Sequence, residues 1–341
     1  MTLRSRSAVS TAVFAISLVV VAVAAGIIGF YSRPVPTPPA LPGEGLKIWW
    51  IGGAAGDPFD ARLLKGATDA AQLLGIQLTY AHTDWDPGKM VAEFKNAIAA
   101  KPNGIVVMGH PGYDALAPLF AQAYSQGIYV TLANVDIKQL RQNYSYTGYV
   151  GQDLYAAGHA LATKALQVCN LKAGDRAAIF SGSWEQPARA LRAVGAEDAL
   201  KAAGLIVDRV SHPPSVYGSP TEGVPYVVGY YGSHPDVKLF IFDGGGTTAA
   251  AESYMKAINV SPGAICVAGF DLTPGSVAGI KDGFVQVVID QQPYLQGFLT
   301  VLNLYLSIKY GFAGLFIDTG GGFVTKDNVQ FVEALVNQGF R

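Results

Sequence analysis

From Leu46 onward the chain alternates short apolar, β-branched runs with stretches whose apolar residues recur at helical spacing. The run 46–53, LKIWWIGG, reads as a strand ending in glycine. Ala61, Leu64, Ala67, Ala71 and Leu74 then share one face of a helix over Asp60–Leu74, and Gly75 stops it. Strands follow at 76–82, 104–110 and 128–134, with helices over Pro87–Ala100 and Tyr113–Gln126 between and after them. A short strand at Tyr146–Val150 and a helix at Leu154–Leu166 close the first series. The pattern restarts with strands at 176–182, 205–211, 238–245, 264–271 and 285–290. Helices are expected near Ala188–Ala203, Gly223–Gly232, Thr248–Ile258 and Pro274–Asp282. Such alternation predicts an α/β fold class: two lobes, each a parallel sheet covered by helices on both faces and wound by right-handed crossovers.

One stretch joins the two series. In VVIDQQPYLQGF, Val287–Ile289 reads as a buried strand, and Asp290, Gln291 and Gln292 put three polar side chains at its end. Pro293 cannot continue a central strand but can open a helix, whose apolar face runs through Tyr294, Phe298, Val301, Leu302 and Tyr305. Strand ends are where open α/β sheets hold ligands, and a helix N-cap accounts for only one of the three polar residues. The helix after Pro293 should return to the first lobe, and GFVTKDNV after it to the second, so that several crossings form a hinge. The lobes are accordingly drawn as 46–151 plus 292–313 and 152–291 plus 314–341.

Ahead of them lies a different composition. Arg4 and Arg6 precede an apolar run, Ala8–Phe30, with no further charge until Arg33. At 23 residues the run is long enough to span a bilayer, yet Ala22-Val23-Ala24 offers a small-residue cleavage site. Residues 1–32 thus read either as a cleaved export signal or as an uncleaved membrane anchor. Both place the rest of the chain outside the cytoplasm. Residues 33–45 are a Pro-rich linker. Over 341 residues, 24 Lys+Arg stand against 25 Asp+Glu, without the basic stripe of a nucleic-acid binder. Cys169 and Cys266 have no metal-type spacing. They are expected to be unpaired thiols, Cys266 buried in a strand; a disulfide is the alternative in an oxidising compartment. The triglycine 244–246 lacks G-x-G-x-x-G spacing and reads as turn glycines opening a helix. No Walker, G-x-S-x-G or H-E-x-x-H motif appears, so an enzyme is not expected, nor a cofactor or a metal.

Several ordered matches carry a family resemblance. They are Gly56-Asp57-Pro58-Phe59; Val150-Gly151-Gln152-Asp153 with Gly158; Arg192-Ala193-Val194-Gly195; His234-Pro235-Asp236-Val237; VAGFD at 267–271; Asp290–Pro293 with Gln296-Gly297; and Asp318–Gly320 with Val324-Thr325. In this order and spacing the chain from 46 to 341 resembles the type I periplasmic sugar-binding proteins, of which ribose-binding proteins are the familiar type. The resemblance implies two hinged lobes, capture of a sugar or polyol between them, and delivery to the permease subunits of an ABC importer by a monomer. A ligand sensor reporting to a receptor or kinase, and an importer component for a nucleoside or other non-sugar, are the alternatives.

Carried over position by position, the resemblance implies ligand contacts from Asp57, Phe59, His110, Asn134, Gln152, Asp153, Arg192, Asp271 and Gln291. The chemistry suits a polyol, whose hydroxyls donate and accept opposite carboxylate, guanidinium and amide groups, with Phe59 over the C–H face of a ring. Trp184 and Tyr217 are weaker candidates for an aromatic cover from the second lobe. Two departures count against ribose itself: the loop Asp243-Gly244-Gly245-Gly246-Thr247 stands where relatives commonly place Asn, and Val135 stands where ribose-binding proteins have Arg.

Overall fold

A computed structural model describes residues 40–341; the expected signal or anchor at 1–32 lies outside the described residues. Among those described, no helix is long and apolar enough to cross a membrane. Two six-stranded sheets form. The first contains β1 (Lys47–Gly52), β2 (Gln77–His82), β3 (Gly104–Met108), β4 (Tyr129–Ala133), β5 (Tyr149–Gly151) and β11 (Phe316–Asp318), in the order β11-β5-β4-β3-β1-β2. The second contains β6 (Arg176–Ser181), β7 (Ile206–Ser211), β8 (Val237–Phe242), β9 (Cys266–Phe270), β10 (Val287–Asp290) and β12 (Gly322–Val324), in the order β12-β10-β9-β8-β6-β7. Strand for strand the two orders are the same. All pairings are parallel except β10 with β12.

The capping chemistry is local and legible. Asp57 caps α1 (Pro58–Leu74) through its carboxylate, Pro58 opens the helix, and Gly75 ends it in the left-handed region at φ 75°. Asp86 and Pro87 start α2 (Pro87–Ala100) in the same way. The third helix, α3, spans Tyr113–Ser125, and a short α4, Lys138–Asn143, was not anticipated. Asp153 caps α5 (Leu154–Val168), which packs on α6 (Pro187–Ala202). Further along come α7 (Val224–Ser233), then α8 (Gly245–Ala249) and α9 (Ala251–Ala257) in place of one expected helix, and α10 (Pro274–Lys281). The chain then runs through α11 (Pro293–Tyr310) and ends with α12 (Glu333–Asn337).

In each lobe two helices cross so closely that only glycine fits. A Cβ on Gly66 would lie 2.0 Å from the Tyr294 carbonyl oxygen, and one on Gly297 equally close to that of Leu63, at the α1–α11 crossing. Gly158 and Gly195 do the same between α5 and α6, meeting the carbonyls of Arg192 and Tyr155. The backbones therefore touch, which fixes how far each helix start reaches into the space between the sheets.

Three segments connect the sheets: Gln152–Asp153, Gln291–Gln292 and Thr319–Gly321. The third differs from the expected boundary. β11 pairs with β5, so residues 314–318 stay with the first sheet and the chain crosses only afterwards; a three-residue strand is too short to show its partner by periodicity. Glutamine amides tie the crossings together: Gln152 Nε2 donates to the Gly320 carbonyl and Gln292 Nε2 to that of Thr319, both at 2.6 Å.

Cys169 and Cys266 form a disulfide, with Cα atoms 6.0 Å apart, contrary to the expectation of unpaired thiols. The end of α5 lies over the first residue of β9, a proximity that two positions 97 residues apart do not announce. Closing a loop of that size should stabilise the second lobe by about 2–4 kcal/mol. Thermal unfolding with and without reductant should show the reduced protein melting several degrees lower, and Cys169→Ala/Cys266→Ala should melt at the reduced value and ignore the thiol.

Candidate functional site

The carboxyl ends of both sheets face one another across a narrow cavity of about 30 Å³. Its first-lobe wall is aromatic and acidic. Asp57, at the cap of α1, accepts from the Phe59 amide and, through Oδ2, from Trp85 Nε1, both at 2.9 Å. The Trp85 ring sits 6.0 Å from Phe59 and 5.3 Å from His110, so the three rings form a continuous face. Burial, with the negative charges of Asp60 and Asp271 nearby, pushes the Asp57 carboxyl well above its usual range. Burial drives His110 the other way, aided by Arg189 and Arg192, so the imidazole is neutral.

The second-lobe wall is cationic, with acid beneath it. Arg192 donates from Nη1 to the Asp243 carbonyl at 3.0 Å and from Nη2 to Gln291 Oε1 at 2.9 Å, with its guanidinium 4.1 Å from the Phe270 ring centre. One turn earlier on α6, Arg189 donates to the Asp243 carbonyl at 2.9 Å and to its carboxylate at 3.3 Å. Asp243 also accepts from Ser181 Oγ at 2.6 Å and Tyr217 OH at 2.7 Å. Burial and the neighbouring Arg189 pull Arg192 down to about 10. For Arg189, the opposing effect of burial is outweighed by Asp243, and its affinity for the proton rises.

Asn134 and Asp271 follow equivalent strands, β4 and β9, and both adopt positive φ, 59° and 71°. That left-handed step is tolerated best by Asn and Asp among side-chain-bearing residues, and it turns each side chain into the cavity. Asn134 Nδ2 donates to Gln291 Oε1 at 3.3 Å and to Gln296 Oε1 at 3.2 Å, linking the first lobe to the second crossing. Burial raises Asp271 to about 6, opposed by Arg192 and a hydrogen bond from Gln291. Three polar atoms of cavity-lining side chains, His110 Nδ1, Arg192 Nε and Asp271 Oδ1, have no hydrogen-bond partner within the protein.

Seven residues singled out from sequence line this cavity: Asp57, Phe59, His110, Asn134, Arg192, Asp271 and Gln291. Gln152 and Asp153 do not. Asp153 is occupied as the α5 cap, accepting from the Ala156 amide, and Gln152 turns its amide to Gly320 in the hinge. Both border instead a second groove beside the first crossing. Tyr217 does line the cavity, whereas Trp184 stacks under Arg209, 4.5 Å from its guanidinium. Sequence reasoning missed Trp85, Ser183 and Arg189. Arg189 alone left a readable signal, an arginine one turn before Arg192 on the same helix face.

Two hinged α/β lobes enclosing a buried, mixed-polarity cavity at their strand ends define a solute-binding protein. The chain belongs to the periplasmic binding protein domain family, whose model matches residues 48–311. It is 32% identical over 324 residues to the xylose/arabinose-binding protein XylF of Sulfolobus acidocaldarius, covering 89% of this chain and 75% of that one. Among solved structures it resembles a carbohydrate transporter of Acidothermus cellulolyticus 11B in complex with myo-inositol. The TM-score is 0.74 at 28% identity, over 87% of this chain and 99% of that one. A solute-binding protein of Agrobacterium vitis with bound D-fucose gives 0.75 at 21% identity, over 85% and 99%, and shows the fold alone.

The Asp271 pKa carries a pH signature. Because the folded chain holds this proton more tightly than the unfolded chain, its contribution to stability is greatest below about pH 4 and is lost as pH rises through about 6. Asp271→Asn has no such loss. Without ligand it should match the parent near pH 4 and exceed it by on the order of 2–3 kcal/mol above pH 7, read by denaturant unfolding across that range.

Proposed function

We propose that the protein captures a neutral, cyclic polyhydroxylated solute, a sugar such as a pentose or a closely related polyol, and delivers it to the permease subunits of an ABC importer. The observation that carries this reading is the pairing of unpartnered, deeply buried polar atoms with an aromatic wall in one closed cavity. Sugar hydroxyls donate and accept at once, so they suit a neutral His nitrogen, a guanidinium N–H and a carboxylate oxygen, while C–H faces suit Phe59 and Trp85. Xylose, arabinose and myo-inositol, named for the relatives, head the candidates.

In this reading Asp57, Phe59, His110, Asn134, Arg192, Asp271 and Gln291, joined by Trp85, Ser183, Arg189 and Tyr217, contact the ligand. Residues 46–151 plus 292–318 move as one body about the three crossings, and 152–291 plus 322–341 as the other. The protein works as a monomer outside the cytoplasm, held at the membrane where its N-terminal segment is retained. It releases what it binds unchanged and takes no part in nucleic-acid recognition.

Calorimetric titration with pentoses, hexoses, inositols and nucleosides tests the reading. One sugar or cyclitol should bind with sub-micromolar affinity and be recovered intact. Arg192→Ala and Asp271→Ala should each weaken that binding roughly 30- to 1,000-fold, a loss of about 2–4 kcal/mol. Asp153→Ala should stay within about threefold. Undiminished affinity in both cavity variants would remove the site assignment, and binding of a nucleoside alone would replace the ligand class.

A further inference from the structure

The turn Val216–Gly218 belongs in sequence to the second lobe, yet the Tyr217 ring is 5% exposed and buried within the apolar cluster of the first, with Ala54, Phe59 and Trp85. Its main chain lies equally close. A Cβ on Gly56 would come 2.6 Å from the Gly218 carbonyl oxygen, and one on Gly218 would come 2.9 Å from the Ala54 side chain. Neither glycine is needed for its own backbone: Gly218 has φ −86° and ψ −19°, and Gly56 is not among the positive-φ residues. What demands glycine at both positions is the approach of the lobes.

The same turn reaches the ligand cavity. Tyr217 OH donates to Asp243 Oδ1 at 2.7 Å and accepts from the Gly182 amide at 2.8 Å. Asp243 in turn holds Arg189 and, through its carbonyl, Arg192. The ring also covers Gly244, where a Cβ would lie 2.6 Å from it; the side chain absent at position 244 is the room that Tyr217 occupies. We propose that Gly56, Tyr217 and Gly218 form the closing latch of this binding protein. They are positioning residues that set affinity by letting the two lobes seal over the cavity and by joining that seal to the arginine cluster.

The inference rests on the ligand-capture reading above, and two measurements separate their failures. In the first, Gly56→Val and Gly218→Val are compared with Gly229→Val, where a Cβ meets nothing within 4 Å, using D-xylose, L-arabinose and myo-inositol as probes. For whichever probe binds, both latch variants should raise the dissociation rate at least tenfold, read by stopped-flow fluorescence. Their melting temperature without sugar should be unchanged, and their scattering radius should fail to contract at saturation. The Gly229 variant should match the parent. Binding within twofold of the parent in both latch variants overturns the proposal. In the second, Ala54→Cys/Gly218→Cys should cross-link under mild oxidation with the lobes backed off by about 1 Å, the gap between the 2.9 Å Cβ approach and the roughly 3.8 Å that a disulfide holds, and a bound probe should accelerate it. Cross-linking in a protein that binds none of the probes would keep the contact and discard the ligand class; no cross-linking would discard the latch whatever binds.

Discussion

The constraint on which the rest depends is the removal of Arg189, Arg192, Asp243 and Asp271 from water at the meeting of two lobes. Each is less than a tenth exposed. Buried charges are tolerated only when their hydrogen bonds and counter-charges are largely supplied, since an unpaired one costs several kcal/mol. Asp243 answers for most of this, holding both arginines, Ser181 and Tyr217 at once. The accounting is left incomplete at Arg192 Nε and Asp271 Oδ1. Incomplete satisfaction in a buried network is where a polar ligand gains most, because it supplies bonds that the folded chain lacks.

Holding such a network in place is a matter of backbone contact more than of side-chain packing. Arg192 precedes Gly195 by one turn, and the glycine seats α6 against α5 with no side chain between them. Gln296 precedes Gly297 at the matching crossing of α11 on α1, where Gln296 braces Gln291 through its amide. The R-x-x-G and Q-G motifs thus combine a polar group aimed inward with a glycine that fixes its depth. A helix displaced outward by one methyl group would carry its guanidinium or amide with it, a shift large enough to break hydrogen bonds.

This explains why much of the fold and site was legible in the chain and some of it was not. Strands, helices and their two-series order follow from periodicity. Strand-end polar residues such as Asn134 and Asp271 stand out because each is the first polar side chain after an apolar run. Trp85 and Ser183 enter the cavity from loops, where no period exists and the backbone path decides direction; Trp85 reaches it through a left-handed step at φ 59°. The Cys169–Cys266 pairing and the placement of β11 depend on distances that only tertiary packing sets. Gln152 is a different case: the resemblance carried it over as part of the first crossing, and it follows β5 as Gln291 follows β10, yet its amide turns to Gly320.

The way that equivalence breaks is informative about mechanism. Gln291 spends its carbonyl on Arg192, Asn134 and Gln296, inside the cavity and between the lobes. Gln152 spends its amide on Gly320, the neighbouring crossing. One glutamine therefore binds groups that line the cavity, and the other ties two of the crossings together. Three crossings tied to one another have less independent backbone freedom than three separate segments, so less conformational entropy is lost when the lobes are held in one arrangement.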